Sequence, residues 1–249
     1  MNRSLLALAA VVALVAAGCG EAEQEAAVDD NPLAALNTAA TKTAEVDSMR
    51  QTLTMDAAFG GEELSMEGEG SFTADSQDGT MTATIVEGGE EIEFEAISVD
   101  GTLYIKGDAF PLPAGKEWLK APDAPTSTME PAAFVRFLQE SEGVENVGTE
   151  EIRGEQTTHF RGPLDLERLA QASDSPVLDR LKSSPDAKDF DIVVDVWVMD
   201  DDLPARIAMK LTTTGDNAGE MTMATDILEY DVPIDVEAPP AGKVANRLG

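Results

Sequence analysis

From Met49 to Val99 apolar side chains return at every second position, and glycine pairs cut the run into pieces of strand length. Met49, Gln51, Leu53, Met55, Ala57 and Phe59 share one face, while Thr52, Thr54 and Asp56 share the other. Gly60-Gly61 then turns the chain into Leu64, Met66, Gly68, Gly70 and Phe72. Two further runs, 80–86 with Met81, Ala83 and Ile85 and 91–99 with Ile92, Phe94 and Ala96, meet at Gly88-Gly89. A period of two interrupted by such pairs specifies hairpins. The alternate positions are Thr, Ser and Glu, so one face meets water and the sheet is antiparallel.

The remaining segments extend this block. Asn31 as N-cap and Pro32 as first helical residue predict a helix to about residue 46, with Leu33, Leu36, Ala40 and Thr43 on one shallow stripe. Asp100-Gly101 turns into Leu103-Tyr104-Ile105, and a loop rich in Pro and Gly leads to Trp118-Leu119. A second helix runs to about residue 141 with Phe134, Phe137 and Leu138; either a capping box from Ser127 to Glu130 or Pro131 starts it. Strands are expected at 144–153 and 156–161 around Gly154, then short helices at 164–171 and 176–182, the latter capped by Ser175. Three strands at 191–199, 205–213 and 220–230 precede an extended end at Pro239-Pro240. The implied architecture is a single α+β domain, with a large antiparallel sheet and helices gathered on one face.

Hydrophobic residues, at 43%, suffice for a packed core. Charge constrains partners more sharply: 48 acids against 17 Lys and Arg give a net charge of −31. That balance excludes nucleic acid, whose binding needs clustered cations, and a polybasic grip on anionic lipid head groups.

Residues 1–18 read as an export signal: a basic start with Arg3, an apolar run over 5–15, then Ala16-Ala17-Gly18. The apolar run is too short for a permanent membrane span. Cys19 follows, the only cysteine in the chain, and Ala-Ala-Gly-Cys resembles the bacterial lipobox, in which that thiol is acylated. Two or three acyl chains satisfy the two-signal requirement for stable anchoring. Residues 19–30 are then a lipid-anchored tether; positions 20–30 carry five acids and no base, and eleven extended residues reach about 36 Å. Domain 31–249 would stand off the outer face of the cytoplasmic membrane.

The order of features resembles the LppX/LprG-type lipoproteins of actinobacterial envelopes, which share the fold of the carriers LolA and LolB. The matching pieces are the lipobox, SMRQTLTM, VDGTLYIKG followed by KEWLK, FLQESEGVENVGTEEIRGEQTTHFRG, VVDVWVMDDDLPARI and the closing YDVPIDVEAPPA. The resemblance implies a large curved antiparallel sheet, a half-barrel of ten or so strands wrapped around helices on its concave face, with an apolar cavity between. It also implies binding of a lipid or lipidated glycan, as carrier or presenter. The rival reading is a scaffold or sensor that binds an envelope protein partner through its outer surface.

On this reading the inward strand set lines the cavity: Leu53, Met55, Met66, Phe72, Met81, Ile85, Phe94, Val196, Met209 and Met223. Methionine suits variable apolar ligands because it is unbranched and adaptable. Catalysis is not expected: His159 is the only histidine and has no accompanying nucleophile elbow. No metal or other cofactor is expected either. A zinc site needs several His or Cys ligands, and Asp200-Asp201-Asp202 before Leu203-Pro204 fits a hairpin turn better than a calcium loop.

Overall fold

Four two-residue loops fold the alternating segments onto themselves, and their backbone explains the residues found there. Gly60 and Gly61 have φ of 61° and 88°, and Gly88 and Gly89 of 60° and 85°. A tight turn that follows strand twist needs positive φ at both positions, which a Cβ resists. These loops join β1 (Ser48–Phe59) to β2 (Glu62–Thr73), and β3 (Gly79–Glu87) to β4 (Glu90–Val99). Asp100-Gly101 makes the same turn into β5 (Thr102–Gly107), as does Arg153-Gly154 between β7 (Glu145–Ile152) and β8 (Glu155–Pro163). The remaining strands are β6 (Trp118–Ala121), β9 (Phe190–Met199), β10 (Pro204–Thr213), β11 (Gly219–Tyr230) and β12 (Val244–Ala245).

The structure is a computed structural model, and it describes residues 31–121, 131–164, 190–214 and 218–246. The export signal, the tether with Cys19, the capping box and the helix at 176–182 lie outside the described residues, as does all but the first residue of the helix at 164–171. Leu164 itself is not helical; its N–H donates to Ile192 O at 2.8 Å.

Among the described residues, twelve strands form one open sheet in the order β12-β6-β5-β4-β3-β2-β1-β11-β10-β9-β8-β7. Ten or so were expected; β12 is the clearest addition, since the end beyond Pro240 was read as extended. A short 3-10 turn at Ala241–Lys243 leads into it, and β12 runs parallel to β6, unlike every other pair. Two antiparallel meanders, β1–β6 and β7–β11, meet where β1 pairs with β11.

Among the described residues, two helices carry the apolar core. α2 (Pro131–Glu140) presents Phe134, Val135, Phe137 and Leu138 to β8–β10, and α1 (Pro32–Thr43) packs on α2 through Leu36, Ala39 and Ala40. Asn31 caps α1, its side-chain oxygen accepting from Leu33 N at 3.2 Å. Leu33 was placed on the buried stripe, but it is 43% exposed. The buried residues are Leu36, Ala39, Ala40 and Thr43. Leu33 sits in the opening turn of α1, ahead of the buried residues. Both core clusters lie between Ala35 and Tyr230, so the compact unit Asn31–Gly249 carries its own core.

Register sorts side chains into two faces. On the face away from the helices, Thr54–Glu67–Thr84–Glu93 and Thr52–Glu69–Thr82–Glu95 form cross-strand rows over β1–β4. Threonine thus separates successive carboxylates by two strand spacings, about 9.6 Å, and avoids directly opposed like charges.

Candidate functional site

The helix-bearing face is apolar well beyond the helices. One row crosses seven neighbouring strands through Ile92, Ile85, Met66, Met55, Met223, Met209 and Val194, each directly paired with the next. Four consecutive members are methionines. A parallel row runs through Phe94, Ala83, Gly68, Leu53, Thr225, Ile207 and Val196. Met81 and Phe72 belong to the next two rows, opposite Gly70 and Gly79. All ten residues expected to line a cavity therefore lie on one face of the sheet.

Their surroundings differ along that face. Val196 and Met209 are buried in the core with α1 and α2. Phe72 is buried where its ring lies over Gly70 and Gly79: a Cβ on Gly70 would meet the ring at 2.7 Å, and so would one on Gly79. Leu53, Met55, Met66, Met81, Ile85, Phe94 and Met223 are half-buried.

Besides Thr225, this face carries the buried polar side chains Gln51 and Ser98. Gln51 pairs with Gly70 and Ile227, and Ser98 pairs with Gly79. They are 7% and 3% exposed, and among the described residues neither Gln51 Oε1 nor Ser98 Oγ has a hydrogen-bond partner. A register shift at Arg50/Gln51, where β11 carries an extra residue against β1, sets the rows on either side of Gln51. The alternation puts Gln51 on the strand face of Met49, Leu53 and Met55, but its lack of a partner depends on neighbours from other strands.

The opposite face holds two open grooves. The larger, about 1140 Å³, runs over the Thr/Glu rows and under the loop bearing Phe110 and Leu112; the other, about 860 Å³, lies at the tips of the β1–β2 and β3–β4 hairpins. The cations of the larger groove are already engaged: Lys106 Nζ donates to Glu95 at 2.9 Å and Lys116 Nζ to Gly242 O at 3.0 Å. The hydrogen bond to Glu95 holds the Lys106 ammonium above its usual range, and the bond from Lys243 holds the Glu117 carboxyl below its own. Among the described residues no group of three His, Cys, Asp or Glu could hold a metal ion.

His159 lies on that same outward face, buried, between two acids: Nε2 is 2.5 Å from Asp195 Oδ1 and Nδ1 is 2.9 Å from Glu150 Oε1. Only a ring with protons on both nitrogens donates to both at once. Trp197 stacks on it at 4.3 Å and donates its Nε1–H to Glu150 at 2.6 Å, while Arg161 donates to Asp195 at 2.7 Å. Beside them, the hydrogen bond to Asp226 raises the pKa of Arg206. Every polar atom named here is paired within the sheet, and none converges on a cleft. Glu150 and Asp195 were not singled out beforehand; the available signal was a lone aspartate within the apolar run 192–198.

The LppX_LprAFG lipoprotein family model matches residues 31–236. The structure of LprF from Mycobacterium bovis is similar, with 14% identity, coverage of 83% of this chain and 96% of that one, and a TM-score of 0.52. Lipoprotein LppX from Mycobacterium tuberculosis is similar to the same degree: 14% identity, 82% and 97% coverage, TM-score 0.52. No curated protein matches the sequence.

Proposed function

Because this chain belongs to the LppX_LprAFG lipoprotein family, we propose that it is exported and held to the outer face of the cytoplasmic membrane through an acylated Cys19. There its sheet curls as a half-barrel around helices and binds a lipid or lipidated glycan, which it carries or presents. The observation that carries this reading is the seven-strand apolar row, which leaves the packed core at Val194 and Met209 and continues through half-buried methionines to Ile92. Among the described residues, a sheet that needed only to cover α1 and α2 would end its apolar surface where those helices end.

The mechanism is burial without chemistry. Each acyl CH2 taken from water contributes about 0.8 kcal/mol, so a few turns of chain outweigh the loss of ligand freedom. The Met side chains at the centre of the row can rearrange around chains of different length. The acidic outer face keeps the protein soluble, and the tether lets it reach ligand without lying on the bilayer.

The test is native mass spectrometry of residues 20–249 purified from a lipid-containing host, followed by organic extraction. A stoichiometric co-purifying lipid is expected. A bare mass that stays unchanged after incubation with phospholipids and acylated glycolipids would overturn the reading in favour of a scaffold with an envelope protein partner.

A further inference from the structure

The methionine row gathers more sulfur than an apolar wall requires. Ile92 and Ile85 at one end and Val194 at the other are β-branched, as strand positions on an apolar face commonly are. Between them Met66, Met55, Met223 and Met209 stand directly opposite one another on four neighbouring strands. Met209 is buried with the helices, whereas Met66, Met55 and Met223 are half-buried and open to solutes. Two residues away on the same three strands are Leu53, Gly68 and Thr225 on one side, and Ala57, Leu64 and Met221 on the other. Apart from the Thr225 hydroxyl, the only ligand atoms these side chains offer are thioethers.

That set of atoms selects its ion. Calcium and magnesium require shells of oxygen, and zinc prefers thiolate or imidazole. Neutral, polarizable thioethers favour a soft monovalent ion, Cu(I) first among biological metals. The geometry points to a Cu(I) site centred on Met55, with Met66 and Met223 as flanking ligands and Met221 as a fourth thioether beside them. Side chains directly opposite on paired strands have Cβ atoms about 4.5–5.5 Å apart, and the flexible methionine chain lets sulfurs turn from that spacing towards one ion. No other soft ligand competes within the domain: Cys19, the only cysteine, precedes it, and His159, the only histidine, is on the opposite face with both ring nitrogens engaged. Neither the scarcity of His and Cys nor the poor calcium loop bears on thioether ligation. The net charge of −31 draws cations to the molecule. Such a site stands whether or not acyl chains also lie on the row.

The test uses residues 20–249, which contain the whole core and no cysteine. Cu(I) is titrated anaerobically against the chromophoric chelator bicinchoninate. Ag(I), equally charged and soft but inert to redox change, is titrated in native mass spectrometry, and thermal melting checks folding. The wild type is expected to take up a single ion of either metal, with sulfur neighbours in the copper X-ray absorption spectrum. Met55→Leu, which keeps volume and apolarity, is expected to weaken binding at least about tenfold. Combining it with Met66→Leu and Met223→Leu should abolish binding, while Met49→Leu, in the second core cluster, leaves it unchanged. Should the triple variant fold poorly, the three single substitutions carry the same comparison. No binding by the folded wild type, binding that survives these substitutions, or a copper shell of oxygen and nitrogen alone would each overturn the site, and none of these results would touch lipid binding.

Discussion

At the scale of single residues, the informative positions are those whose polar groups are buried and paired. His159→Phe removes the partner that Asp195, with its side chain 10% exposed, meets through Nε2, and leaves that carboxylate with Arg161. Charged hydrogen bonds contribute about 1.5–3 kcal/mol, so a loss of about 2 kcal/mol in urea denaturation is expected. A cost under about 0.5 kcal/mol would mean that the stack on Trp197 holds the site instead. Tyr230 gives the corresponding test in alkali. Burial, ahead of the negative charge of Asp201, raises its phenol far above the ordinary value near 10, and its hydroxyl donates to Pro204 O at 2.6 Å. The folded state holds that proton more tightly than the unfolded chain does. Its stabilisation is therefore whole below pH about 10 and is lost as pH rises beyond. Urea midpoints at pH 9 and pH 11 should fall further for the wild type than for Tyr230→Phe; equal falls would remove Tyr230 as the cause.

At the scale of elements, the tightest constraint is the close approach of β2 and β3. A Cβ on Gly79 would collide with Ser71 O and come within 2.8 Å of Phe72 Cα, both backbone atoms that cannot turn aside. Gly79→Ala should cost about 3 kcal/mol by thermal or urea unfolding, the upper end for an overpacked site. Gly242→Ala, in open space, should cost little. β12 contributes differently: Glu117 N donates to Lys243 O at 2.8 Å and Lys243 Nζ meets Glu117 Oε1 at 2.5 Å, so the chain end covers the β6 edge. Deleting residues 241–249 should expose that edge and raise the fraction of dimer or aggregate in size-exclusion chromatography. Strands were readable because Leu53 to Phe94 keep a strict period and glycine pairs mark the turns. β12 was not, because two residues carry no period and only Trp118 and Leu119 opposite them define the strand. Leu33 was misplaced for a related reason: a helical stripe shows which side is apolar, whereas the extent of the packing partner decides how much of it is covered.

At the scale of the whole molecule, the net charge of −31 is arranged as well as large. Along each Thr/Glu row the carboxylates are about 9.6 Å apart and between the rows, as from Glu67 to Glu69, about 6.8 Å, both within the Debye length of about 10 Å at 0.1 M salt. Stability should therefore rise with NaCl from 10 mM and level off above about 0.1 M, as urea midpoints would show; a flat response would mean that threonine spacing already removes the repulsion. Alternation in the sequence placed all ten inward residues on one face, because a correct period fixes parity within a hairpin and pairing then carries it from strand to strand. The unpartnered state of Gln51 and the Glu150–His159–Asp195 arrangement were not legible, since both depend on which strand lies beside which, and β1 beside β11 joins residues about 180 apart.

The methionine row also gives the protein a chemical weakness. Met55, Met66 and Met223 are half-buried on adjacent strands about 4.8 Å apart, so their thioethers share one face that peroxide or hypochlorous acid can reach. Each sulfoxide replaces a soft apolar sulfur with a strong chiral dipole. The first to form roughens and hydrates the line for its neighbours, so the surface that adapts to many acyl chains is also the one an oxidant spoils first, and methionine sulfoxide reductases would have to reach the same face to restore it.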